Sequence, residues 1–404
     1  MSDAQSFYES FLKQAALDYP KTVSSFDLRE KLSSNLISPY VTELPTSLRT
    51  QAETIVQAYF ALRNSKTWSN RLKNIDPKLE DPGNTSILMS YDFHVDENQQ
   101  LRLIEINTNA SLSLVVDISH RVHDLKNTFS EEFRNELLES FAQEHREAAA
   151  KTGSKKALSN IGIVDEKPET QRLFAEFKLF QELFGQKGWS ADFFDPSELS
   201  FEDGKLLGKA KEIDLIYNRD TDFYLTKEES VCLRKAMEQR SACITPHPYE
   251  YRLLADKERL LELSKEETLR EIVTQGELSP EQAEAIQRSL IRTVDIHSMS
   301  PDHLWAERKK YFFKPRNSHG GKAVYRGSSM SKTTFQQILG RDYLVQEMVP
   351  PALLKFKNEA EDFKSDLRFY VYRDRIQLAC ARLYRGMMTN AQTPGGGVSV
   401  INWT

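Results

Sequence analysis

The stretch Tyr91-Asp92-Phe93-His94, with Leu101-Arg102-Leu103-Ile104-Glu105-Ile106-Asn107-Thr108-Asn109 just after it, decides how this chain is read. Strict alternation along the second part puts Leu101, Leu103, Glu105 and Asn107 on one face of a strand, and Arg102, Ile104 and Ile106 on the other. The polar turn Asp96-Glu97-Asn98-Gln99-Gln100 predicts that this strand folds back antiparallel on the one carrying Asp92. Two carboxylates and a carboxamide then converge. Such a set of oxygen donors suits Mg²⁺, which commonly shares its shell with water and nucleotide phosphates. A lone acid at a strand end is usually just solvated, so the reading needs a second constellation.

That constellation lies toward the other end of the chain. An apolar strand, Tyr311-Phe312-Phe313-Lys314-Pro315, runs into Arg316-Asn317-Ser318-His319-Gly320-Gly321-Lys322. A lysine at the end of a strand, stiffened by the following proline, can hold its ammonium over phosphates from a fixed backbone. The glycines let backbone N–H groups approach phosphate oxygens, although the spacing is not that of a Walker A loop. A further strand follows, Tyr343-Leu344-Val345-Gln346-Glu347-Met348-Val349-Pro350. The chain closes with Arg382-Leu383-Tyr384-Arg385 and Gly395-Gly396-Gly397. Together these describe a nucleotide site.

Over roughly residues 85–404 these motifs resemble the ATP-grasp superfamily, and their order resembles its circularly permuted branch, typified by eukaryotic glutathione synthetase. In the usual order the hairpin ending in Glu-x-Asn-Thr comes last; here it comes first. The resemblance implies that Asp92, Glu105 and Asn107 hold magnesium, with Glu347 at the nucleotide–metal site. It makes Lys314 the phosphate lysine, Lys257 a second nucleotide lysine, and Ser318, Gly320, Gly321 and Lys322 part of a loop covering the terminal phosphates. Backbone groups of Gln346, Met348 and Val349 would face adenine. Arg385 would meet the acceptor and the reacting phosphate, with Asn390 to Gly397 as a mobile loop over the acceptor. Arg368, in Asp366-Leu367-Arg368, would bind phosphate or position a neighbouring acid. Arg219 would hold a peptide substrate, and Ser111 and Arg382 complete the substrate-binding set. The chain departs from the family at Ser90-Tyr91-Asp92, where members commonly carry Arg-x-Asp, so Arg382 or Arg385 must substitute or the acceptor chemistry differs. Asn109-Ala110-Ser111-Leu112-Ser113 also lacks the glycines often seen after Glu-x-Asn-Thr, so glutathione synthesis itself is not implied.

Composition fits such an enzyme. A chain of 404 residues is long enough for two or three domains. A net charge of −5 gives no general polyanion-binding surface, which argues against a nucleic-acid partner. Cys232, Cys243 and Cys380 are scattered without Cys-x-x-Cys spacing and read as reduced thiols of a cytoplasmic protein. No signal peptide is visible, and no apolar run is long enough for a bilayer, so no membrane is expected. The eight histidines offer no pair at metal spacing; His120 and His123 read as solvated neighbours, and His94 as a residue behind the metal ligands.

The expected fold is α/β: a circularly permuted ATP-grasp fold with a small parallel α/β substrate domain and a helical N-terminal region. Residues 1–156 carry N-terminal helices and the metal hairpin. Residues 157–245 alternate strand and helix around Ile161-Gly162-Ile163-Val164 and Ile213-Asp214-Leu215-Ile216-Tyr217, as a parallel sheet does. Residues 246–310 form a helical connector, and 311–404 the ATP-binding lid and the rest of the main sheet. The function expected is an ATP-dependent carboxylate–amine ligase that forms an amide through an acyl phosphate, on an amino acid or small peptide. Its partners would be ATP with Mg²⁺, a carboxylate and an amine acceptor, and the resemblance suggests a homodimer. The alternatives are a scaffold of the same fold that binds nucleotide without ligation, and an ATP-dependent kinase.

Overall fold

The computed structural model describes residues 3–72, 79–316, 323–357, 359–387, 389–390 and 392–404. Its centre is a seven-stranded sheet. Across it run Ile37–Leu44, Gly397–Trp403, Arg375–Tyr384, Phe363–Tyr372, Met89–Val95 and Leu101–Asn107, with Ala352–Leu354 beside the start of Phe363–Tyr372. The first pair is parallel and the others are antiparallel. The strand Phe363–Tyr372 shows why these residues form a sheet. Phe363, Leu367, Phe369 and Val371 alternate with Lys364, Asp366, Arg368 and Tyr370, so one face is apolar and the other carries the charge.

The apolar face is covered by the helix Thr46–Asn64, whose buried Leu48, Ala52, Ile55, Val56, Tyr59 and Leu62 recur at helical spacing, and by Pro280–Ser289. Ala379 and Ala381 give that helix room to approach the sheet. Part of the opposite face packs on Ser113–Val122 and Phe133–Ala150, which tie the main sheet to a four-stranded parallel sheet, Cys243–Thr245, Leu215–Asn218, Asn160–Val164 and Ser190–Phe194. A further four-stranded sheet, Thr293–Asp295, Tyr343–Glu347, Tyr311–Pro315 and Tyr325–Arg326, carries Lys314. A small three-stranded sheet spans Leu199–Glu202, Lys205–Gly208 and Lys211–Glu212. Among the described residues no helix is long and apolar enough to cross a membrane, and all three cysteines are free.

Two sequence expectations need correction. The N-terminal region is not wholly helical: Ile37-Ser38-Pro39-Tyr40-Val41-Thr42-Glu43-Leu44 is an edge strand of the main sheet, where Pro39 is tolerated. The alternation read along Leu101–Asn107 also fails. Asp92 pairs with Glu105 but Phe93 pairs with Leu103, so Ile104 is an extra residue, a β-bulge. Leu101, Leu103 and Ile106 therefore share the apolar face, while Glu105 and Asn107 turn to the other one opposite Asp92 and Ser90. The convergence of acids survives; its cause is the bulge.

Candidate active site

Permutation requires the hairpin to join strands near the far end of the chain, and it does. Arg368 pairs with Asp92 across the sheet, 276 positions away in sequence. The pairing sets a buried ion cluster. Asp92, fully enclosed, accepts from Arg368 Nε at 2.8 Å and Nη2 at 2.6 Å, and Arg382 Nη2 lies 3.0 Å from its Oδ2. Arg382 Nε donates to Asp366, whose second oxygen accepts from the Thr389 hydroxyl. Burial pushes the Asp92 carboxyl up, but the two guanidinium groups outweigh it and hold the pKa below the usual range.

Lys314 faces the same space from the small antiparallel sheet. Burial pushes its ammonium down to about 8; Glu105 draws it back up and Lys257 presses it further down. Lys257 is likewise lowered by burial and offset by Glu105. Both lysines thus feel Glu105, and Lys257 also feels Asp256. His94 stands between the groups. Its Nδ1 is 2.7 Å from the Val349 carbonyl oxygen, and burial lowers its pKa against the field of Asp366, with Lys314 and Arg382 pressing it lower. Arg368, Arg382, Lys314 and Lys257 stand here with Asp92, Glu105, Asp366 and Asp256, four cations with four carboxylates. The buried Lys314 ammonium, held below its usual pKa, would gain from an anionic ligand.

Other expected residues lie elsewhere or in another role. The Glu347 carboxylate does not join the cluster. Lys314 pairs with Leu344, and Glu347 stands three positions on, so the pleat turns it to the opposite face, where it is exposed 3.7 Å from Arg292. Gln346 is buried and donates to Thr293 Oγ1 at 3.2 Å, and the Met348 N–H donates to the Lys310 carbonyl at 2.8 Å. Arg385 is turned away from Asp92. It binds Glu359 at 2.6 Å and lies 4.0 Å from the Phe363 ring centroid, on the apolar side of the sheet. Of the two candidates to replace the arginine absent at Ser90, the structure brings Arg382 to the cluster. Arg219 is buried between the rings of Tyr217 and Phe177 and donates to the Ala110 carbonyl at 2.9 Å, which bolts the parallel sheet to the turn after the hairpin. Ser111, in that turn, accepts from the Tyr370 hydroxyl through its carbonyl at 2.7 Å. Ser318, Gly320, Gly321 and Lys322 lie outside the described residues.

Gly395 to Gly397 are less a loop than a tight seam. A Cβ on Gly396 would stand 2.5 Å from the Leu383 carbonyl oxygen, and one on Gly397 2.3 Å from the Leu36 carbonyl carbon. Sequence reasoning missed Glu176, whose buried carboxylate accepts from the Leu112 and Leu114 N–H groups at 2.7 and 3.2 Å and fixes the turn leaving the site. It also missed Tyr224, which donates to Asp256 at 2.6 Å beside Lys257. Neither residue stands in a motif that could have signalled it.

Magnesium fits only part of its expected ligand set. Asp92 has both oxygens committed to arginine. Asn107 turns its amide nitrogen toward Asp92 at 3.4 Å and Glu105 at 3.3 Å, and an amide flip presents oxygen instead. Among the described residues no three His, Cys, Asp or Glu side chains are grouped to hold a metal. Glu105 and Asn107 remain, which suits an ion whose other ligands are phosphate and water.

The architecture is similar to that of one solved structure, with two others less alike. A glutathione synthetase-like effector from Globodera pallida, in its apo form, superposes with a TM-score of 0.57 at 13% identity, over 91% of this chain and 90% of that one. A Methylobacillus flagellatus KT protein assigned as a gamma-glutamylcysteine synthetase gives 0.47 at 10% identity, over 90% and 89%. The ATP-grasp ligase PsnB, solved with a minimal precursor, gives 0.33 at 11%, over 60% and 89%. No protein-family model matches the chain, and no curated protein matches its sequence. The chain has the circularly permuted ATP-grasp fold.

Proposed function

We propose that this protein is an ATP-dependent carboxylate–amine ligase acting on an amino acid or small peptide. The observation that carries the reading is the meeting of the buried Lys314 and Lys257 with Glu105, on this fold. In the proposed reaction the lysines hold the phosphates of ATP. An oxygen of the substrate carboxylate attacks the γ-phosphorus, the bond to the β-phosphate oxygen breaks, and ADP leaves. The amine nitrogen then attacks the acyl carbon, phosphate departs, and the nitrogen loses a proton as the amide forms. Positioning and charge stabilisation suffice for such transfers, so no protein nucleophile is required. Magnesium, held by Glu105 and Asn107, would supply further neutralisation of phosphate charge.

One observation favours the second reading, a nucleotide-binding protein without turnover: Ser90 stands where the family has arginine, and Asp92 is closed off by two others. Release of ADP and phosphate, screened over pairs of amino acids, peptides and amines, separates the readings. Amine-dependent release of both supports the ligase. ADP with a phosphorylated product makes it a kinase, and binding without release makes it a scaffold.

A further inference from the structure

Asp92 is the carboxylate at which a divalent cation is expected from the sequence, and both its oxygens are engaged by a guanidinium. Arg368 takes both its oxygens in a two-point contact, and Arg382 adds a second positive charge 3.0 Å away. A metal ion there would have to displace two cations that the sheet holds in register with the acid. The two arginines differ in what they have left. Arg368 spends Nε and Nη2 on Asp92 and its side chain is 11% exposed. Arg382 gives Nε to Asp366 and brings Nη2 within 3.0 Å of Asp92, no hydrogen bond of its Nη1 is seen among the described residues, and its side chain is 19% exposed. Asp366 is itself pinned by Thr389, so the Arg382 guanidinium is held in place between two carboxylates. Planar N–H groups held in this way match phosphate oxygens.

We propose that Arg382 takes the charge-balancing place that a divalent cation would have at Asp92, so that nucleotide phosphate is met there by a guanidinium and metal enters the cleft only through Glu105 and Asn107. This rests on the nucleotide reading of the cleft and not on ligation. Nucleotide binding then depends weakly on magnesium, because a protein cation already stands where the ion's charge is needed. Arg368 has a different role: it holds Asp92, and through it Arg382.

The test is calorimetric titration of ATP into the full-length protein, with magnesium and with EDTA. Wild type should bind ATP under both conditions, with affinities within about tenfold of each other. Arg382→Met should lose about tenfold or more in EDTA and regain much of it with magnesium, while Arg382→Lys, which keeps a cation, should lose less. Asp92→Asn should leave the affinity for Mn²⁺, read by water-proton relaxation in the presence of ADP, unchanged. Wild-type binding that falls more than about a hundredfold in EDTA overturns the proposal alone, as does an Arg382→Met protein that binds like wild type. Absence of ATP binding under both conditions overturns the nucleotide reading and this proposal with it. Should Arg382→Met fail to fold, the wild-type comparison and Arg382→Lys still decide.

Discussion

The ion pair between Asp92 and Arg368 is a case where the two charges are worth less than the harm done by parting them. Removing one member of a buried pair leaves an uncompensated charge, which typically costs about 3–5 kcal/mol. Arg382 remains 3.0 Å from Asp92 in an Arg368→Met variant, so the lower end applies. Urea unfolding should show a loss of about 3 kcal/mol for Arg368→Met, and a smaller loss for Asp92→Leu with Arg368→Met together. A single variant of wild-type stability would mean that Arg382 alone suffices. Lys314 gives a second prediction at this scale. Its ammonium, at about 8 in the free protein, must be charged to hold phosphate. Bound nucleotide favours the protonated form, so affinity is full below pH 8 and declines as pH rises through it. Lys314→Arg stays charged across that range and should bind with a flat profile. A wild-type profile as flat as the variant's would remove Lys314 from the phosphate site.

At the scale of elements, the seam of glycines is the sharpest place to test packing. Gly397 has φ +95° and its Cβ direction points into the Leu36 backbone, so alanine there suffers both strain and collision. Gly397→Ala should lose more than about 2 kcal/mol and lower the thermal midpoint by several degrees, because backbone strain and overpacking each cost about 1–3 kcal/mol. Gly188, also at positive φ but with open space around it, should lose less when changed to alanine. The elements also show what the sequence could reveal. The hairpin, the lysine strand and the parallel sheet were legible, because alternation and turn residues are local signals. The bulge at Ile104 was not, since one extra residue leaves no mark in composition. The edge strand Ile37–Leu44 was hidden among helix formers and interrupted by Pro39. The arginine cluster was least legible of all: Asp92, Arg368 and Arg382 meet through strand register, and register between distant strands is set by the whole sheet. Alternation along Cys380-Ala381-Arg382-Leu383-Tyr384-Arg385 puts Arg382 and Arg385 on opposite faces, yet which face carries the charge is visible only with the hairpin in place.

At the scale of the whole molecule, the layers are joined by a buried polar knot behind the hairpin. Glu144 accepts from the Thr85 N–H and hydroxyl at 3.2 and 2.6 Å, from the Asn84 amide at 2.9 Å and from the Tyr372 hydroxyl at 3.0 Å. His247 completes it. Its Nδ1 accepts from the Glu250 N–H at 3.2 Å, and its Nε2 is 3.2 Å from the Asn84 carbonyl oxygen. That geometry calls for a neutral ring, and burial, with Arg63 nearby, pushes its pKa down to about 4. The unfolded chain binds the proton near pH 6.5, so between 6.5 and 4 it holds more protons than the folded one. Stability from this residue is therefore full above about pH 6.5 and falls as pH drops, by up to about 1.4 kcal/mol per unit. His123, also near 4 through burial and His120, adds to the slope. Thermal midpoints measured from pH 7 to 4 should fall accordingly, and less steeply for His247→Gln; parallel slopes would place the acid sensitivity elsewhere.

The pairing of the first strand with the last also has a meaning in time. The hairpin is made first, but its neighbour Phe363–Tyr372 is made more than 250 residues later, and Gly397–Trp403, which receives Ile37–Leu44, later still. At synthesis rates of about 5–20 residues per second, the hairpin waits on the order of 10–50 s with an open edge. The parallel sheet, whose strands span only Asn160–Thr245, can form meanwhile. The main sheet, and every charge that meets on it, must wait until the strands from Phe363 onward have been made. During that wait the nascent chain offers an apolar, unpaired strand to any chaperone at the exit tunnel.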